Sequence, residues 1–224
     1  MKRYPLVLLI LAGCGTTEEP GPGEVPGEEL TYAMMFSTDP KLLKVGQFGI
    51  YTCRVQGESQ TFTTTLKVTG ADAQGLWIEQ KVPANPMPFI IKSHISLTGE
   101  LIESWVGEPR GTPAKTFPLR DERPGPKPIE PADVKTDVTR ETITVGKGAD
   151  ARTFDCTKLI STITYKNGKT SSMTSWCSME APFPIMKDGQ PVGGIVRRQY
   201  GRVTVELHGQ GDNAKEELVL PKKK

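Results

Sequence analysis

Thr61-Phe62-Thr63-Thr64-Thr65-Leu66-Lys67-Val68 decides the fold. Phe62, Thr64, Leu66 and Val68 alternate with Thr61, Thr63, Thr65 and Lys67, the period of a strand with one buried and one wet face. Phe89, Ile91, Ile95 and Leu97 alternate with Lys92, His94 and Ser96 in the same way, interrupted by Ile90 and Ser93. Val203, Val205 and Leu207 do so with Thr204, Glu206 and His208. Further strands are expected near 47–56, 75–82, 100–106, 139–145, 153–165, 170–179, 194–199 and 216–220. Thr98-Gly99 and Asn167-Gly168 fit hairpin turns, where glycine accepts the positive φ the loop needs. No stretch sustains a helical period, so the sequence predicts an all-β domain of about ten antiparallel strands with at most one short helix. No internal repeat is evident, which disfavours propellers and solenoids. A sandwich, a closed barrel and a strongly curved half-barrel remain open.

Composition narrows the function classes. Hydrophobic residues make up 36%, too few for a polytopic membrane protein but enough for a core. The 23 Gly and 19 Pro imply many turns. There are 28 basic and 26 acidic residues, a net charge of +2. Removal of Lys2 and Arg3 with the leader described next leaves 26 basic residues and a neutral chain. Nucleic acid is therefore not an expected partner.

Met1-Lys2-Arg3 precedes an apolar run, Leu6 to Leu11, and then Ala12-Gly13-Cys14. A charged start, a short apolar run and small residues form a secretory signal over residues 1–13. The run is far shorter than the ~20 residues a spanning helix needs. Leu11-Ala12-Gly13-Cys14 resembles the lipobox of bacterial lipoproteins. The resemblance implies a diacylglyceryl group on Cys14, cleavage just before it and a lipid-anchored location in the cell envelope. Gly15 stands where Asp resembles an inner-membrane retention signal, which implies the outer membrane in a Gram-negative host. More than one acyl chain on Cys14 would hold the protein durably, at about 0.8 kcal/mol per buried CH₂.

Residues 14–30 read as the lipidated Cys and a tether: they hold five Glu and no basic residue, and cannot bury enough apolar surface to repay their ordering. A second Pro-rich stretch, Pro109 to Pro131, contains Arg120-Asp121-Glu122-Arg123 and the breaker Pro124-Gly125-Pro126. We read it as a surface excursion within a single β domain over 31–221, because either half alone would be small for an independent core. Lys222-Lys223-Lys224 is a basic tail.

Export places the chain in an oxidising compartment, and with Cys14 lipidated three cysteines remain. A Cys156–Cys177 disulfide is favoured, since both flank the Asn167-Gly168 hairpin, with a bond from either to Cys53 as the alternative. A two-residue loop would leave Cys177 diagonal to Cys156, too far to bridge, whereas a longer loop with a bulge could bring them opposite. No Cys-x-x-Cys motif points to redox work.

Chemistry is hard to find in the remainder. His94 and His208 alternate with apolar neighbours and are expected on wet faces, and two isolated His do not supply a zinc site. No Gly-x-Ser-x-Gly elbow or phosphate-binding Gly-x-x-x-x-Gly-Lys-Ser/Thr loop occurs. Gly46-Gln47-Phe48-Gly49 and Gly193-Gly194 read as turns or bulges. Trp77 shares its phase with Glu79 and Lys81, opposite to Leu76, Ile78 and Val82, and so faces outward or lines a groove. Trp105 and Trp176 lie in strand-like runs. No catalytic residue, metal or cofactor is expected, and an enzyme is not.

A resemblance also covers about 142–208: Thr153-Phe154-Asp155-Cys156-Thr157-Lys158, Ser175-Trp176-Cys177, Ala181-Pro182-Phe183-Pro184, Gly193-Gly194-Ile195-Val196-Arg197 and Val203-Thr204-Val205-Glu206-Leu207. This part is similar to a bacterial family of β-rich envelope proteins of unknown function, themselves similar to half-barrel lipoprotein-localisation carriers. It implies a curved antiparallel sheet whose concave side holds acyl chains or another apolar ligand. Met34, Met35 and Phe36, just after the tether, are flexible or large enough to line an adaptable entrance to such a cavity. The expected function is a non-enzymatic, membrane-anchored envelope lipoprotein that binds an apolar ligand. The alternative is an anchored module that binds an envelope protein.

Overall fold

A computed structural model describes residues 6–8, 36–59, 61–83, 88–109, 115–116, 131–166, 168–218 and 220. Cys14, the tether, Met34, Met35, most of the Pro-rich loop and the basic tail lie outside the described residues. The chain is all-β, and eleven antiparallel strands form one open sheet. The only helical elements among the described residues are two single 3₁₀ turns, Pro40–Leu42 and Gly148–Asp150.

In chain order the strands are β1 (Leu6–Leu8), β2 (Phe36–Thr38), β3 (Phe48–Val55), β4 (Thr61–Ala71), β5 (Gly75–Val82), β6 (Phe89–Ser96) and β7 (Leu101–Gly107). They continue as β8 (Lys115–Thr116), β9 (Pro131–Val145), β10 (Arg152–Tyr165), β11 (Thr170–Ser178), β12 (Ile185–Lys187), β13 (Gln190–Tyr200) and β14 (Val203–Gly211). The main sheet runs β9-β10-β11-β13-β14-β3-β4-β5-β6-β7-β8. The first residues of β13 instead pair with β12, which pairs with β2 and through it with β1. A bulge on β13 allows this branch: Trp176 faces Arg197 but Cys177 faces Ile195, and both Ile195 and Val196 are fully buried.

Period two translates directly into packing. On the inner face Tyr51, Cys53, Val55, Leu66, Val68, Leu76, Ile78, Val203, Val205 and Leu207 form one core. Phe154 and Cys156 enter that core from one face of β10 and Leu159 from the other. A flat strand cannot do this, so the sheet coils strongly around its own interior. Burial of such a face is the main stabilising term, about 25 cal/mol per Å² of apolar area.

Two expectations change. The hairpin between β10 and β11 is not a two-residue loop. Tyr165 and Lys169 close it, with Tyr165 N–H donating to Lys169 O (2.9 Å) and Gly168 at φ 80°. The register then sets Cys177 opposite Thr157 and leaves Cys156, the neighbour of Thr157 along β10, on the other face of the ribbon. One extra loop residue moves the side chains to opposite faces. Cys53, Cys156 and Cys177 are accordingly three buried free thiols, and the favoured Cys156–Cys177 bond is not formed. The second change is at 216–220: Glu216 to Leu218 form no strand and lie instead against the outer face of β4–β6.

Candidate functional site

That outer face carries a row of charges. The register aligns Lys67 with Glu79, Glu79 with Lys92 and Lys92 with Trp105, on neighbouring strands β4 to β7. Glu79 is fully buried, and Lys67 and Lys92 nearly so. The Lys67 ammonium lies 3.0 Å and the Lys92 ammonium 3.5 Å from the Glu79 carboxylate. The backbone N–H groups of Glu217 and Leu218 donate to the same carboxylate at 2.9 and 3.1 Å. Lys67 also donates to Glu217 Oε1 (2.7 Å) and to the Lys215 carbonyl (2.8 Å), and Lys92 pairs with Glu216. Charges taken out of water must be paired and hydrogen-bonded in this way.

Residues 212–218 therefore act as a strap. One end is tied where Ala214 N–H donates to Gly46 O (2.7 Å). Gly46 has φ 92°, and a Cβ there would collide with the Asp212 carbonyl, so the strap crosses at a position only glycine fills. At the other end Leu218 is fully buried against Ile90, with Trp105 and Leu220 around it.

Beside the row, Trp77 stacks on His94 with ring centroids 4.2 Å apart, and Lys92 Nζ sits 5.4 Å from the Trp77 ring centre. Asp72, in the β4–β5 turn, accepts from Gln74 N–H (2.8 Å) and Trp77 Nε1–H (3.1 Å). These bonds, the Gln74 amide first, hold its carboxyl below the ordinary range. His94 Nε2 is 3.1 Å from Asp72 Oδ1, and Trp105 Nε1–H donates to Glu103 (3.0 Å). Trp77 thus faces outward in phase with Glu79, as the alternation predicts. His94 does not lie in solvent: it is on the outer face but 2% exposed, because Trp77 covers it. His208 is exposed.

The inner face has its own polar group. Arg198 is buried and donates through Nε to Ser175 Oγ (2.9 Å). Burial pulls its pKa down to about 10 and pushes the neighbouring Tyr51 hydroxyl up. Desolvation likewise raises Cys53 and Cys177 to about 12 and Cys156 to about 11, so thiolate, the reactive form, is scarce at neutral pH. Trp176 packs on the core edge and donates through Nε1 to Glu141 of β9 (3.0 Å), with Lys158 also on that carboxylate at 2.7 Å. Hydrogen bonding from Lys158, then Trp176, keeps Glu141 low.

Sequence reading did not single out Lys67, Glu79, Lys92 or Arg198. The available signal for the first three was shared outward phase with alternating sign on successive strands, which needs the register before it becomes a row. No cluster among the described residues has the geometry to hold a metal ion. Comparison with protein-family models, curated proteins and solved structures finds no match for the chain.

Proposed function

We propose that the chain is a lipid-anchored, non-enzymatic module of the cell envelope that works by binding a protein partner. The anchor is Cys14, and its support is the Leu11–Cys14 box after a short apolar run. The observation that carries the interaction reading is a contrast within one sheet. The inner face is consumed by its own side chains, with Tyr51, Val68, Ile195, Val203 and Val205 all at 0–1% exposure. Meanwhile β9 is exposed over residues 132–135 and 137–142 and pairs with β10 alone among the described strands. A filled interior favours this reading over the apolar-ligand carrier, whose concave wall has to stay open. Buried thiols held protonated and a Glu79 carboxylate engaged by two ammoniums and two amides leave little free chemistry for a catalyst.

Native mass spectrometry of the full chain extracted from membranes tests the reading. The expected masses are those of the acylated chain alone or with a protein partner. A stoichiometric lipid retained in addition to the acyl groups on Cys14 would overturn it in favour of the carrier. Cys14→Ala should abolish partition into detergent; normal partition would remove the anchor.

A further inference from the structure

Resting on the interaction reading, we propose that the partner at β9 is a second copy of this chain, paired antiparallel edge to edge about a two-fold axis at Thr136. Unpaired strand edges invite another strand, and proteins normally blunt them. The opposite end of the sheet is blunted, since it finishes in the two-residue strand β8. β9 is not. Its residues 132–135 and 137–142 are exposed, and Val134 and Val138 stand 51% and 54% exposed on one face.

The sequence of this edge fits its own reverse. Val134-Lys135-Thr136-Asp137-Val138 read backwards keeps valine at both ends and exchanges only the two charges. An antiparallel copy centred on Thr136 sets Val134 opposite Val138, Lys135 opposite Asp137 and Thr136 opposite itself, and the two-fold makes each unlike pair twice. Apolar pairs and opposite charges directly across from each other are what stabilises antiparallel ladders. A register centred on Val138 would also match Lys135 with Glu141, but it would set Val134 against Thr142 and Asp133 against Ile143. The same residue pairs would appear on both subunits, as a two-fold interface requires.

Sedimentation of the full chain in detergent, with disulfide trapping, tests this. Thr136→Cys should give a covalent dimer on mild oxidation, because opposite Cα atoms lie about 4.5–5.5 Å apart. Val138→Cys should not, since the two copies of 138 would be about 14 Å apart at 3.4 Å per residue. Lys135→Asp should weaken the dimer roughly tenfold by setting acid against acid twice. Adding Asp137→Lys should restore it. An unchanged urea midpoint in each variant separates lost pairing from lost folding. A dimer insensitive to both charge changes, or no Thr136→Cys self-trapping, overturns the proposal. Trapping of Thr136→Cys on a different protein also overturns the second copy while keeping the interaction reading. No trapping together with a retained non-covalent lipid ends both.

Discussion

The two faces of β4–β6 are buried almost equally and by opposite means. On the inner side Leu66, Val68 and Ile78 are covered because the sheet coils over itself, and apolar contact is enough to hold them. On the outer side Lys67, Glu79 and Lys92 are covered because a strap lies over them, and each charge has a named partner. The difference teaches that period two identifies two faces but not which of them meets water. A short segment far away in sequence can bury the polar one, provided that it brings its own donors and acceptors. Here it brings the Glu217 and Leu218 amides, the Lys215 carbonyl and two carboxylates.

The largest effect that could break this comparison is at Glu79. Glu79→Ala removes the carboxylate that two buried ammoniums share and leaves the Glu217 and Leu218 amides without an acceptor, while Lys67 keeps Glu217 and Lys92 keeps Glu216. Breaking a buried ionic network in this way should destabilise by about 3–5 kcal/mol. Urea unfolding should show a loss of that size; a loss below about 1 kcal/mol would mean that water reaches the row. Replacing Lys67, Glu79 and Lys92 together by Met, Leu and Met should recover only part of it, although matched apolar groups pack as well as an ion row. Recovery should be incomplete, since the two strap amides then lack an acceptor, at about 1–3 kcal/mol each.

How far this was legible from the residues depends on whether a feature is local. The alternation at 61–68, 89–97 and 203–208 is local, and the all-β class with its main strand positions follows from it. Gly99 and Gly168 sit at positive φ where turns were expected. The cysteine register failed because it hinges on one residue of loop length, and the phase of every side chain beyond depends on that residue. The strap failed for another reason. Glu216-Glu217-Leu218-Val219-Leu220 has the composition of a strand, but a buried carboxylate nearly 140 positions earlier takes the Glu217 and Leu218 amides. No local pattern encodes that. His94 was assigned the right face and the wrong exposure for the same kind of reason, because its cover comes from a neighbouring strand.

A smaller effect is expected at Leu218, the apolar pin of the strap. Leu218→Ala should destabilise by about 2–3 kcal/mol, toward the low end for buried leucines because a surface strap can partly collapse. Trp105, which packs against Leu218, should become more exposed to quenchers as the strap loosens. An unchanged Trp signal with lost stability would separate the pin from the charged row. The inner face gives a prediction in pH. Cys53, Cys156 and Cys177 keep their protons in the fold well above the ordinary thiol value of about 8.5. The unfolded chain then binds fewer protons than the folded one as pH rises, so stability present below about pH 8.5 is lost above it. The loss from pH 7 to 9 should be about 1 kcal/mol per free thiol. A Cys156–Cys177 bond would remove two of the three contributions, and alkylation before and after denaturation counts the same thiols directly: none, then three.

The smallest effect belongs to a charge that neither face buries. Arg54 Nη1 lies 3.6 Å from Glu206 Oε2, and the Arg54 side chain is 55% exposed. Glu206 is held more closely by Arg197, through Nε at 2.8 Å and Nη2 at 2.6 Å. Arg54→Ala therefore leaves no carboxylate unpaired, and it removes a contact that water and salt already screen. Exposed pairs of this kind contribute about 0–1 kcal/mol, so the urea midpoint should move by no more than about 0.5 kcal/mol in equivalent stability, and less in 0.5 M salt. Arg197→Ala is the matched control. It removes both close contacts to Glu206 and the donation to the Thr144 carbonyl of β9, and it should be clearly worse than Arg54→Ala. Equal effects at the two positions would show that geometry and exposure do not grade these ion pairs, and the contrast between the strapped row and the open surface would lose its physical basis.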